Sequence, residues 1–349
     1  MFVHERADAS DLESISSIEK EKDYKKKIDR ARHAVFIVMF ASLCVFIVMA
    51  VVAVSKEGFG KFVSDVASIN PVYYISAIFV LFCGYLLRFP KWEEYIYKLK
   101  VNVDRKKNFL VYLSMYSMDI TPGRWGRAIA AYTLNKISGV KFATTFPAVV
   151  ADIFTDYLGF ATISICAAFL LDRYVGFSVF IALLLLVPFF FLFNQKPFSY
   201  IKRRLGHIRA LRSFFEVGEL YFKNNKKLGK REYVYSMVFT VPSMLMNCIA
   251  FYLVILSFGV GISYTFLPTI VFIYSSALLF GMITGIPATL GVSDAAITGY
   301  LVLFFPDKIT IALALTITIF FRIVSVWFVE IFGSAALIYT LRYWSVDTK

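Results

Sequence analysis

Histidine is scarce here. Only His4, His33 and His207 occur in 349 residues. They are too scattered to ligate a metal, and none lies in a long apolar run to serve as base beside a nucleophile. The four cysteines, Cys44, Cys83, Cys166 and Cys248, contain no C-x-x-C pair. Each falls inside an apolar segment, so buried thiols are expected rather than disulfides or a metal site. No G-x-x-x-x-G-K-[ST] occurs, which leaves no nucleotide-phosphate loop. Any driving energy must then come from a gradient or a downhill flow. No cofactor and no metal are expected.

Charge is also missing over long distances. Ala34 to Val54 and Tyr174 to Gln195 carry none, and neither does any of the 61 residues from Tyr233 to Ser293. A membrane helix needs only about 20 such residues. Hydrophobic residues make up 59% of the chain and its mean hydropathy is +0.68, against about 45–50% apolar residues in a soluble domain. An all-α polytopic protein of the inner or plasma membrane is expected. Six full spans are read at 34–55, 71–90, 143–171, 174–194, 233–258 and 309–341, the last tilted or broken near Gly333. Two further apolar stretches, 109–137 and 264–305, are interrupted by Pro and Gly. The organisation is then a polar segment 1–33, one transmembrane domain 34–342 and a tail 343–349. The first apolar run begins too far from the terminus for a cleaved signal peptide and reads as a retained anchor.

The net charge of +13 lies mostly between the spans. Gln195 to Glu232 holds eleven Lys and Arg against three Glu, and Lys91 to Lys107 holds six against three acids. Lys25, Lys26, Lys27, Arg30 and Arg32 crowd the start of the first span. The loops 56–70, 172–173, 259–264 and 306–308 are poor in basic residues. Excess Lys and Arg mark the cytoplasmic side, so both termini and the two basic loops are expected inside. Topology already accounts for the high pI, and no nucleic-acid partner is expected. In 195–232 the apolar Phe198, Ile201, Leu205, Ile208, Leu211, Phe214 and Phe215 recur among the cations. That spacing suits a helix lying at the interface against anionic head groups.

The interrupted stretches carry the motifs. The first reads Pro122-Gly123-Arg124-Trp125-Gly126-Arg127 and the second Pro287-Ala288-Thr289-Leu290-Gly291-Val292-Ser293-Asp294. Both are P-x-x-x-G, 165 residues apart. Asp152 and Asp156 follow the first, and Arg322 follows the second within one position of the same offset from Asp156. This pattern suggests an internal repeat. With basic loops inside, the first break is entered from the cytoplasm and the second from outside, so the copies are inverted, as in transporters with broken helices.

At these residues the sequence resembles the lysylphosphatidylglycerol synthase transmembrane region, also called the flippase-like domain family. That family has motifs like P-G-x-x-G-E-x-x-R and P-G-G-L-G-x-R-E-A, an acidic pair like Asp152 and Asp156, and a late Arg like Arg322. The resemblance covers about 34–341. Arg127 and Ala130 stand where the family has Glu and Arg. In the second motif Ala288-Thr289 replace Gly-Gly, Ser293 replaces Arg and Asp294 replaces Glu. The head-group preference of better-known members therefore does not carry over. No counterpart of their soluble aminoacyl-transfer domain is expected in this stretch, where Tyr343 to Lys349 follow the last span.

Charges at membrane depth cost roughly 2.5–3.5 kcal/mol each on insertion scales, and they pair or line polar cavities. Asp152 and Asp156, four apart, share a helix face, and Arg322, Arg124 and Arg127 are the candidate cations between them. Glu330, eight residues beyond Arg322, is expected to extend that network. Breaks at Pro122-Gly123-Gly126 and Pro287-Gly291 free backbone groups that lipid cannot satisfy. The helix starting after each break attracts anions. The expected function is translocation of an anionic or phosphate-linked lipid between leaflets, with membrane lipids as partners and an oligomer possible. The binding set is Arg124, Arg127, Asp152, Asp156, Asp294 and Arg322, with no catalytic residues. An intramembrane enzyme acting on a polyprenyl phosphate and a non-transporting scaffold are the alternatives.

Overall fold

The computed structural model describes Phe40, Cys44, residues 47–48, 51–52, 54–55 and 58–344, apart from 120, 173, 206–211, 285–288 and 290. The polar segment 1–33, most of the span expected at 34–55, and Pro287 of the second motif lie outside the described residues.

The described chain is helical, with no strand among the described residues. A short helix α1 (Phe59–Ala67) precedes α2 (Pro71–Leu87), which starts where Asn70 Oδ1 accepts the Val72 N–H at 3.0 Å and Pro71 takes the first turn. Pro90 has no N–H to return to Leu86, and the helix is interrupted at Arg88 before resuming as α3 (Phe89–Lys98). Then come α4 (Arg105–Ser114), capped by Asp104, and α5 (Ile129–Ser138), closed by Gly139 at φ 68°. Tight 3-10 turns at Met115–Met118 and Pro122–Ala128 separate α4 from α5.

The longer elements follow: α6 (Phe142–Leu170), α7 (Val175–Phe193), α8 (Gln195–Leu205), α9 (Arg212–Asn225) and α10 (Lys230–Ser257). Next are α11 (Leu267–Ile283), α12 (Val292–Phe304), α13 (Ile311–Arg322) and α14 (Phe328–Trp344), the last two joined by a π-helical turn, Ile323–Trp327.

Five of the described helices are long and apolar enough to cross a membrane: Pro71–Lys98, Phe142–Leu170, Lys230–Ser257, Tyr264–Met282 and Ile311–Trp344. Tyr264–Met282 qualifies by itself, although it lies inside the interrupted stretch 264–305. The stretch expected at 174–194 forms α7, which carries no charged residue. The last span runs unbroken through Gly333. Glycine is needed there because a Cβ would sit 2.4 Å from the Ser117 backbone nitrogen, so α14 approaches the Met115–Met118 turn backbone to backbone. Of the cysteines, only Cys248 is buried; Cys44 and Cys166 are exposed and Cys83 is intermediate.

Backbone and side-chain contacts fix which loops share an end. Asn70 donates its N–H to Ser257 O at 2.7 Å, and Lys308 Nζ donates to Gly261 O at 2.6 Å. Tyr174 stacks on Phe272 and meets Phe304 edge-on. The four loops poor in basic residues therefore gather at one end. At the other end Lys98 pairs with Glu232 at 2.9 Å, and Lys107 lies over the Trp344 ring.

Both interrupted stretches are hairpins. The ten-residue helices α4 and α5 each rise about 15 Å, half of a hydrocarbon core of about 30 Å. They pack against one another, so the chain turns back between Met118 and Pro122 and returns to the basic end. In the second stretch α11 and α12 pack together and the chain returns to the Gly261 end. The two hairpins are inverted relative to each other.

The described residues of the segment 195–232 include two helices, α8 and α9, ahead of α10. Phe198 of α8 packs on Phe215 and Phe222 of α9, and Tyr221 and Phe222 bury against Val150 of α6. Arg203 and Arg204 stay exposed.

Candidate functional site

The first hairpin delivers its tip to α6. Gly126 donates its N–H to Thr121 Oγ1 at 2.5 Å, closing the 3-10 turn, and a Cβ there would lie 2.2 Å from Met118 O. This turn points Arg127 inward. Its Nε donates to Asp119 Oδ1 at 2.5 Å, and its NH1 lies 2.7 Å from Asp152 Oδ2 and 2.8 Å from Asp156 Oδ2. The shared face expected for the two aspartates is what lets one guanidinium reach both.

Two further cations come from the end of the first described span. Arg88 NH1 lies 3.0 Å from Asp156 Oδ2, and Lys91 Nζ lies 2.6 Å from Asp156 Oδ1 and 3.0 Å from Asp152 Oδ1. Lys91 also donates to Thr155 Oγ1 at 3.2 Å. Arg88 and Arg127 both sit over aromatic faces, at 4.4 Å from the Tyr85 centroid and 5.0 Å from that of Tyr116. By sequence Lys91 falls in the basic loop 91–107, and Arg88, inside the span read at 71–90, is not singled out. Their signal was the face they occupy: Lys91 lies among Phe89, Trp92, Tyr95 and Ile96, all buried.

Arg124 is the outermost member. Its NH1 is 3.3 Å from Asp156 Oδ2, its Nε 3.8 Å from Asp119 Oδ2, and a fifth of its side chain is exposed. Four cations thus face Asp119, Asp152 and Asp156. The cluster is positive by one, and its buried charges are tolerated because every carboxylate is paired more than once.

Arg322 does not take part. It donates from Nε to Asp294 Oδ1 at 2.6 Å and from NH2 to Ser293. Asp294 Oδ2 meanwhile accepts the Gly291 N–H at 2.9 Å, capping α12. The expectation that Arg322 neutralises Asp152 and Asp156 is corrected: its partner is the acid at the tip of its own hairpin. Each tip is therefore tied to a following helix by an ion pair of opposite sense, Arg127 to the aspartates of α6 and Asp294 to the arginine of α13. Glu330 does not extend the hydrogen-bonded network either; no described group donates to it.

The two tips meet. A cavity of about 60 Å³, room for roughly four waters, is lined by Thr121 and Arg124 of the first tip and Thr289 of the second, with Tyr274, Arg322 and Glu330 among its other walls. Arg124 (φ 60°) and Thr289 (φ 58°) both adopt the left-handed backbone region that L side chains rarely occupy, 165 residues apart. That offset equals the one between the P-x-x-x-G motifs, so the repeat extends to backbone geometry at the cavity wall.

Inverted hairpins from opposite ends, meeting at a charged cavity within a bundle of apolar helices, define a polytopic α-helical membrane protein of the broken-helix kind. Residues 38–333 match the family described as lysylphosphatidylglycerol synthase TM region, and the chain belongs to that family. It is similar to a protein named "UPF0104 membrane protein" from Methanothermobacter thermautotrophicus, 24% identical over 333 residues, covering 84% of this chain and 94% of that one. A second protein of the same name and organism is 26% identical over 136 residues, 39% of this chain and 34% of that one.

Proposed function

We propose that this chain translocates an anionic or phosphate-linked lipid between the leaflets of the plasma membrane, with the basic end and both termini in the cytoplasm. The observation that carries this reading is the meeting of both hairpin tips at one polar cavity, with the partly exposed Arg124 on its wall. A phosphate gathered near Arg203 and Arg204 leaves the interface and meets Arg124, while its acyl chains stay in the bilayer. Arg127 orients Asp152 and Asp156 rather than binding lipid itself, since its side chain is 1% exposed. Asp294 and Arg322 hold the second tip in place.

The test is reconstitution. Purified protein in liposomes should speed movement of labelled phosphatidylglycerol or a labelled polyprenyl phosphate between leaflets, and phosphatidylcholine should move less. Arg124→Ala should slow that movement while helix content by circular dichroism is unchanged. If no anionic or polyprenyl lipid moves faster than in empty liposomes, the translocase reading gives way to a scaffold.

A further inference from the structure

We propose that Glu330, Ser325 and Asn247 form a site for one small monovalent cation, Na⁺ or a proton, that occupies the cavity together with the lipid phosphate. This proposal rests on the translocase reading for its coupling, but the site itself does not.

Both carboxylate oxygens of Glu330, Ser325 Oγ and Asn247 Oδ1 are buried and have no hydrogen-bond partner among the described protein groups. All three residues line the same cavity, from α14, the π-helical turn and α10. Glu330 is 4% and Asn247 5% exposed. A carboxylate and an amide oxygen only accept. Oxygen acceptors on one cavity wall, with no protein donor bonded to them, suit a hard cation, and coupling-ion sites in transporters lie where helices depart from regular geometry. The wall's unpartnered donor, Arg88 Nε, is left for the anion. One carboxylate supplies one negative charge, which suits a monovalent ion. Ser325 stands in the wide turn Ile323–Trp327, and such turns collect at functional sites.

Charge counting links this site to the phosphate. Among the described residues the ion-pair cluster and the cavity wall together hold Arg88, Lys91, Arg124, Arg127 and Arg322 against Asp119, Asp152, Asp156, Asp294 and Glu330. That set is neutral with every group ionised. A phosphate arriving at Arg124 adds a negative charge, and a cation at Glu330 restores the balance. The two ligands therefore favour each other, and by linkage each raises the other's affinity by the same factor.

The charged groups sharing the cavity with Glu330 are Arg88, Asp119, Arg124 and Arg322. Asp119 is held by Arg127, and Arg322 by Asp294. Four tyrosines, Tyr85, Tyr116, Tyr157 and Tyr274, also face it; phenols titrate at about 10 in water. Helices α4 and α5, which pack on α14, contribute no charged side chain to the cavity wall. Glu330 is thus the one carboxylate of the wall with no cation bound to it among the described residues.

The experiment uses the full chain in phosphatidylcholine or phosphatidylglycerol bilayers. Radioactive sodium binding and the thermal midpoint are measured in sodium against choline chloride, with infrared spectra across the range where carboxylates titrate. For Na⁺, saturable binding should be lost in Glu330→Gln and weakened in Ser325→Ala, and should tighten about fivefold or more in phosphatidylglycerol. For a proton, sodium has no effect; a protonated-carboxyl band vanishes in Glu330→Gln, and its midpoint differs between the two lipids. If neither ion nor pH distinguishes wild type from Glu330→Gln or Ser325→Ala, the site is overturned. If labelled lipid moves at a rate indifferent to both gradients and to Glu330→Gln, the coupling falls and the translocase stands. If an ion binds at Glu330 but no lipid moves, the site stands and the translocase reading falls.

Discussion

Lys91 Nζ and Asp156 Oδ1 lie 2.6 Å apart, and neither side chain exposes any surface. The pair joins the first described span to α6 at the point where Arg88, Arg124 and Arg127 also converge. Removing one partner of a buried pair costs roughly 3–5 kcal/mol, so Lys91→Met should sharply lower the thermal midpoint in detergent. In the cycle with Asp156→Asn, the coupling should reach roughly 0.5–3 kcal/mol. Strict additivity of the two losses would show that they do not interact.

Arg322 supplies a contrast, because its carboxylate is Asp294. Arg322→Ala leaves Asp294 with the Gly291 N–H alone and should destabilise the second hairpin. Adding Asp294→Asn should recover part of the loss, whereas adding Asp156→Asn should deepen it. Thermal unfolding of the two double variants decides the matter, and recovery by Asp156→Asn would refute the assignment.

Close approach makes two glycines irreplaceable. Gly126→Ala puts a methyl 2.2 Å from Met118 O, and Gly333→Ala puts one 2.4 Å from Ser117 N. Overpacking of this kind typically costs about 1–3 kcal/mol. Gly299→Ala, where nothing lies within 4 Å of the added carbon, should be neutral or slightly stabilising because alanine favours helix. Equal midpoints for all three variants would contradict the packing described.

Orientation is checked by labelling. In a background lacking the four cysteines, one placed within 195–205 should react only from the cytoplasm and one at Asp172 only from outside. The reverse pattern would invert the proposed orientation. Labelling of both from one side would break the hairpin topology.

The membrane class and the inverted breaks were legible because both are written in runs: stretches without charge, and Pro and Gly punctuating two of them. The repeat was legible as an offset, and the same offset recurs in the strained backbones of Arg124 and Thr289. Pairing was less legible. Arg88 and Lys91 stand at the end of an apolar run, where a cation ordinarily faces head groups. Only their inward placement, Arg88 at the break before α3 and Lys91 on the buried face of α3, distinguishes them from that role. Arg322 could be matched to a carboxylate by charge alone, but three-dimensional neighbours decide which one, and hairpin closure brings Asp294 closer than Asp156.

The wide turn at Ile323–Trp327 has a consequence for how this gene product tolerates change in length. A π turn holds one residue more than an α turn, so that span has a removable residue. Losing one residue between Phe328 and Phe332 would swing everything beyond it by about 100°, carrying Gly333 off the Met115–Met118 turn. Losing one inside the wide turn would leave Gly333 and Glu330 facing as they do, and would erase only the irregularity beside Ser325. A single-residue deletion at Val324 should therefore yield a folded protein, while the same deletion at Ile331 should not.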